Sequence, residues 1–159
     1  MSELGNACAG PVPALYRQAD REARIRRIAE SFARLTGRPL IDPAADDAVA
    51  ALWHASDVIV AHGVEDDPVF FFGNAAALAA FETDLDDFTR MPSRLSAEAP
   101  DRAERQRLLD RVSRAGFIDD YAGVRVTRNG RRFRIEQAIV WNLLDAAGVR
   151  HGQAATFRR

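Results

Sequence analysis

Apolar side chains first recur at helical intervals between Leu15 and Thr36. Ile25, Ile28, Ala29, Phe32 and Leu35 share one face, while Arg21, Arg24, Arg27, Glu30 and Arg34 lie largely elsewhere. Gly37, followed by Arg38 and Pro39, predicts the stop. A second helix is expected from Pro43 to about Ala55, with Ala45, Ala48, Val49, Leu52 and Trp53 as a narrow apolar stripe. The texture then changes. SDVIVAHG, Ser56 to Gly63, is β-branched and apolar and reads as a strand; VEDDP is a turn, and VFFFG returns as the partner of a hairpin. NAAALAAFE follows as a short helix, with Asn74 placed to cap its first turn. After a turn-rich connection, Asp101 to Gly116 is helical, with Leu108, Leu109, Val112 and Ala115 inward.

The last third alternates. Ala122, Val124 and Val126 interleave with Gly123, Arg125 and Thr127, and Asn129-Gly130 predicts a type I′ hairpin. On the next strand a strict period of two puts Phe133, Ile135, Gln137, Ile139, Trp141 and Leu143 on one face. A turn at Ala146 to Gly148 leads to a final strand, His151 to Phe157. Five antiparallel strands, with helices inserted between the second and third, make an α+β domain with helices on one face of the sheet and an N-terminal helical extension.

Composition narrows the picture. The 159 residues suit one domain, and 47 % hydrophobic with 28 % charged residues is a globular balance. A net charge of -1 supplies no global field for nucleic acid or an anionic membrane. All basic residues are Arg, and the hairpin run Arg125, Arg128, Arg131, Arg132 and Arg134 reads as a solvent face, with Arg125, Arg132 and Arg134 pointing outward. A lone cysteine, Cys8, excludes an intrachain disulfide or zinc ribbon. No apolar run approaches a membrane span, and no secretory signal opens the chain. A cytoplasmic protein is expected.

The blocks ASDVIVAHG, DPVFFFGNAAALAAFE, MPSRLSAEAPDRAERQRLL, GFIDDYAGVRVTRNGRRFRIEQAIVWNLLD and GQAATF, in this order, resemble the stand-alone bacterial type of the MEKHLA domain family, itself similar to PAS domains. The resemblance runs from about Ile25 to Phe157 and carries no assigned reaction. It implies a PAS-like five-stranded sheet and a sensory or regulatory role. The implied division is a flexible arm at 1–14, N-terminal helices at 15–55 and the PAS-like domain at 56–159.

In that frame Gln137, alone and polar on an apolar face, is the first candidate to orient a ligand in a cavity. Arg94 is the candidate anion contact, and Asn74, His62, Trp141 and Phe71 complete the set. Ile25, Ile28 and Phe32 are candidates for a homodimer face on a helix packed outside the core. His54, His62 and His151 have no metal-ligand spacing, so neither metal nor haem is expected. Cys8 lies far in sequence from the PAS-like core, where flavin photochemistry would need it. No nucleophile elbow, HExxH, P-loop or GxGxxG occurs, so catalytic residues are not assigned. The expected partners are a small organic ligand, a second copy and a protein that receives the signal. Two other readings remain open: a small isomerase- or hydratase-like enzyme using Asp120, His62 or Gln137, and an interaction module whose core is filled.

Overall fold

The computed structural model describes residues 10–97 and 102–158; Cys8 and most of the expected arm lie outside them. A 3-10 turn, Ala14–Arg17, precedes α1 (Ala19–Thr36) and α2 (Ala48–Trp53). Strands β1 (Val58–His62) and β2 (Phe70–Gly73) follow, then α3 (Ala75–Ala80), α4 (Leu85–Phe88), a second 3-10 turn (Ser93–Ser96) and α5 (Arg102–Ala115). Strands β3 (Phe117–Val126), β4 (Arg132–Leu144) and β5 (Arg150–Phe157) close the chain. The sheet is antiparallel in the order β2-β1-β5-β4-β3. Consecutive β2 and β3 therefore form opposite edges, and the helices between them cross the whole concave face.

Both faces are covered. On the concave face Val58, Val60, Phe70, Ile135 and Ala138 pack with Ala77, Ala80, Phe81 and Phe88, and Leu108 and Val112 of α5 pack with Ile118 and Val140. On the opposite face α1 seats Ile25, Ile28 and Phe32 against Ile59, Trp141 and Leu143. The expected helix from Leu15 is broken at Gln18, whose backbone is extended at φ -63, ψ 133. That break turns Tyr16 into the core, where it is fully buried.

The strict alternation expected along β4 fails at one residue. Gln137 has φ 52, in the left-handed region, and the pairing runs Gly123 with Ile135 but Tyr121 with Ala138. Glu136 and Gln137 of β4 thus oppose Ala122 of β3 alone, a bulge that inverts the alternation. Phe133 and Ile135 face the concave layer, whereas Ile139, Trp141 and Leu143 face α1. One strand thereby supplies apolar residues to two different layers.

The β3–β4 hairpin also differs from a two-residue type I′ turn. Gly130 N–H donates to Thr127 O at 3.0 Å, closing a turn through Arg128 and Asn129, and Gly130 alone has positive φ, at 82. The one left-handed residue sits third in the loop, where glycine takes it without steric cost.

Edge strand β2 is shielded by the N-terminal segment. Tyr16 hydroxyl donates to Gly73 O at 2.8 Å and accepts from Gly73 N–H at 3.0 Å, and Arg21 Nη1 donates to Phe71 O at 2.8 Å. These bonds occupy main-chain groups that would otherwise template another strand.

Candidate functional site

The concave face holds a cavity of about 50 Å³ lined mainly by apolar side chains, among them Val60, Phe70, Ile135, Val140 and Phe157. His62 and Arg105 line this cavity and also a polar surface cleft of about 450 Å³ that carries Arg94, Asp67 and Arg150. Leu109 lines both as well, so the two spaces share three side chains.

Each polar group reaches the cavity for a local reason. His62 ends β1 on the same side as Val60 and is 6 % exposed. Burial lowers its pKa to about 4, with Arg105 and Arg150 adding in the same direction. Its Nδ1 lies 2.9 Å from Gly63 O, a group that only accepts. Nδ1 therefore carries the proton, leaving Nε2 as an acceptor on a neutral ring. Arg105 projects from α5, and its Nη2 donates to Ser93 Oγ at 2.9 Å. Burial, then the charge of Arg125, lowers its pKa to about 10. Arg125 donates from Nη2 to Tyr121 hydroxyl at 2.7 Å and lies over that ring, 5.1 Å from its centroid. Gly123, between them, makes this possible: a Cβ there would stand 2.5 Å from the Tyr121 hydroxyl. Among the described residues, neither Arg105 nor Arg125 has a carboxylate partner.

Gln153 lines the same cavity from β5 and is 1 % exposed. A chain of bonds fixes its amide. Asn142 Nδ2 donates to Val112 O at 3.1 Å, so Asn142 Oδ1 faces Gln153 and accepts from its Nε2 at 3.1 Å. Leu109 O, 3.4 Å from the same Nε2, also requires the donor there. Gln153 Oε1 is left buried with no partner. Such an atom costs about 1–3 kcal/mol relative to one that is satisfied.

The expected site residues separate. His62 reaches the cavity and Arg94 the cleft, where Arg94 Nε donates to Asp67 at 3.1 Å. Asn74 is fully buried and spent on backbone: Oδ1 accepts from Ala77 N–H at 2.9 Å and Ile59 N–H at 3.1 Å, and Nδ2 donates to Asp57 O at 2.8 Å and Leu52 O at 3.2 Å. Phe71 and Trp141 belong to the opposite face, under Arg24 at 4.0 Å and against Phe32 at 4.9 Å. The bulge carries Gln137 out of the expected apolar row to an exposed position on an outer groove beside Arg38 and Glu136. Asp120 is exposed and pairs with Arg111 at 3.7 Å. Ile25, Ile28 and Phe32 are enclosed by the chain's own strands, so the surface assigned to a dimer is already occupied. Arg125, expected outward, turns inward.

Sequence reasoning missed Arg105, Arg125, Asn142 and Gln153. A signal existed for the last two: each is an amide in an apolar strand. Among the described residues no group of three or more His, Cys, Asp or Glu is placed to hold a metal ion, and no helix is long and apolar enough to cross a membrane.

Residues 22–159 match the model of the MEKHLA domain. Homeobox-leucine zipper protein HOX32 of Oryza sativa subsp. japonica is 28 % identical over 135 residues, covering 83 % of this chain and 16 % of that protein. Homeobox-leucine zipper protein ATHB-14 of Arabidopsis thaliana is 27 % identical over 139 residues, covering 84 % and 16 %. The chain thus spans less than a fifth of these relatives. Among solved structures, a PAS domain from Colwellia psychrerythraea superposes with TM-score 0.58 at 14 % identity, covering 68 % of this chain and 89 % of that one. The photo-excited blue-light photoreceptor Vivid gives TM-score 0.57 at 12 % identity, covering 83 % and 94 %. The dark structure of the blue-light photoreceptor Aureochrome1 LOV gives 0.57 at 17 % identity, covering 77 % and 88 %. At these identities the likeness is one of fold: the sheet is that of a PAS domain.

Proposed function

This chain belongs to the MEKHLA domain family, and from that premise we propose that it is a PAS-like sensory or regulatory domain that binds a small molecule on the concave face of its sheet and performs no catalysis. One observation carries this reading: an apolar cavity is lined by Gln153, whose Oε1 is buried without a partner, and it shares His62, Arg105 and Leu109 with a polar cleft. Pockets that bind small molecules have this make-up, mostly apolar with a few placed polar groups. The regulatory part is supported by the homeobox-leucine zipper relatives, and the sensory part by the photoreceptors that share the fold.

The size of the cavity limits the ligand. At about 50 Å³ it is the scale of a few water molecules, whereas pockets for ring-sized ligands run from roughly 300 Å³ upward. A flavin does not fit this arrangement, so no flavin chemistry enters the proposal. An occupied cavity would be felt by β1, β5 and α5 together, and a change in α5 or the cleft is what a partner protein would read.

The test is native mass spectrometry, with an absorption spectrum, on protein purified from its own source. A small mass released on denaturation is the expected result. A bare mass, together with a melting temperature unmoved by extracts of the same cells, would replace this reading with that of an interaction module whose core is filled.

A further inference from the structure

We propose that the ligand is a short hydroxy acid, its carboxylate held by Arg105 and Arg125 and its hydroxyl donated to Gln153 Oε1 or His62 Nε2. This inference rests on the proposed concave site and names the chemistry that site accepts.

The charge follows from what surrounds the two guanidiniums. Arg105 donates to Ser93 Oγ and Arg125 to Tyr121 hydroxyl and Val124 O, all neutral acceptors. Two cations on one largely apolar cavity repel each other, and Arg125 is near enough to lower the pKa of Arg105. Among the described residues no carboxylate bonds either guanidinium, and the cavity lining they share holds none, the acidic side chains Glu65, Asp66, Asp67 and Asp110 lying on the cleft, so an anion fits beside them. Guanidinium forks match a planar carboxylate through charge-assisted bonds. A dianionic phosphate suits the space less well, because the lining beyond the two arginines is mainly apolar.

The hydroxyl follows from the acceptors. Gln153 Oε1 is buried and unpartnered, its orientation fixed through Asn142 by Val112 O. His62 presents Nε2 as a second acceptor because Nδ1–H faces Gly63 O. Both call for a ligand that donates. An amino acid would donate as well, but its ammonium would sit beside two arginines in a cavity whose lining holds no carboxylate. A neutral hydroxyl carries no such penalty. The cavity size keeps the carbon chain short.

The experiment is titration calorimetry of the full chain with glycolate, lactate and 2-hydroxybutyrate, alongside propionate, which lacks the hydroxyl, and lactamide, which lacks the charge. The hydroxy acids are expected to bind, propionate several-fold and lactamide about tenfold or more weaker. Arg125→Gln and Arg105→Gln should each weaken the hydroxy acids about tenfold or more, with little effect on lactamide. Arg125→Lys, which keeps the charge and loses the fork, guards against a folding defect and should fall between. Equal affinity for lactate and lactamide, or glutamine variants that bind lactate like the parent, would overturn the anion assignment while leaving a concave ligand site intact. Absence of binding by all three hydroxy acids at tens of millimolar would overturn the ligand class. The released mass in the native experiment then decides separately whether the site binds anything.

Discussion

Replacing Asn74 should unfasten the fold at one point. Its side chain joins three segments: it caps α3 through Ala77 N–H, satisfies Ile59 N–H of β1 and donates to Asp57 O and Leu52 O of the preceding loop and helix. Asn74→Ala removes a helix cap worth about 1 kcal/mol. It also leaves a buried strand N–H unsatisfied, at about 1–3 kcal/mol, and frees carbonyls that gain water only if the loop opens. The sum is about 2–4 kcal/mol, a large part of a typical domain's stability. Urea unfolding followed by tryptophan fluorescence reports it, since Trp53 and Trp141 are both buried. The midpoint of thermal unfolding should fall by about 10 °C. Asn74→Asp separates the two roles. It keeps the acceptor for Ala77 and Ile59 but turns a carboxylate oxygen toward the carbonyls of Asp57 and Leu52. Its folded-state pKa should rise above the ordinary value, so the stability of this variant falls as pH rises from about 4 toward neutrality. An Asn74→Ala loss below about 1 kcal/mol, or an Asn74→Asp variant equal to the parent at pH 7, would show that Asn74 does not join these segments.

His62 sets an acid limit. Its folded pKa of about 4 lies below the ordinary 6.5, so the unfolded chain takes up the proton first as pH falls. Stability present above about pH 6.5 is lost toward pH 4, by on the order of 3 kcal/mol, and His62→Asn should flatten that difference in denaturation curves measured across the range. Phe32→Asp should unfold the protein rather than produce a folded monomer, because the ring is 3 % exposed and packs edge-on to Trp141; a cooperative unfolding curve like the parent's would count against that placement. Gln137→Gly should stabilise by a few tenths to about 1 kcal/mol and Gln137→Val destabilise by about 1–2 kcal/mol, since only glycine takes a φ of 52 freely. Equal stabilities for these two variants would remove the bulge.

The parts legible in the sequence were those fixed by neighbours along the chain. Asn74 as a cap, Gly37 as the end of α1 with φ 76, and the strand order of types all follow from local rules. Where side chains point depended on distant partners. A period of two through Phe133, Ile135, Gln137 and Ile139 looks unbroken, and nothing adjacent to Gln137 announces the extra residue; the offset arises from pairing with Tyr121 and Gly123. Ile25, Ile28 and Phe32, expected on a dimer face, are buried for a related reason. An amphipathic helix states that one face is covered, not by what, and here the cover is the far side of the sheet. The site was thinly legible because its charged members, Arg105 and Arg125, sit among many surface arginines that they match in type but not in burial.

The pairing of Val58 with Phe157 has a mechanical consequence. The first residue of β1 and the last of β5 are neighbours, and these two strands form the middle of the sheet. Tension applied across these two points does not shear the strands past each other; it peels their hydrogen bonds one after another. That is the softer mode, because the bonds bear load singly. The seam it opens is flanked by Val60 and His62 on one strand and by Gln153 and Phe157 on the other, so a pull on the ends of the sheet is transmitted to the wall of the cavity.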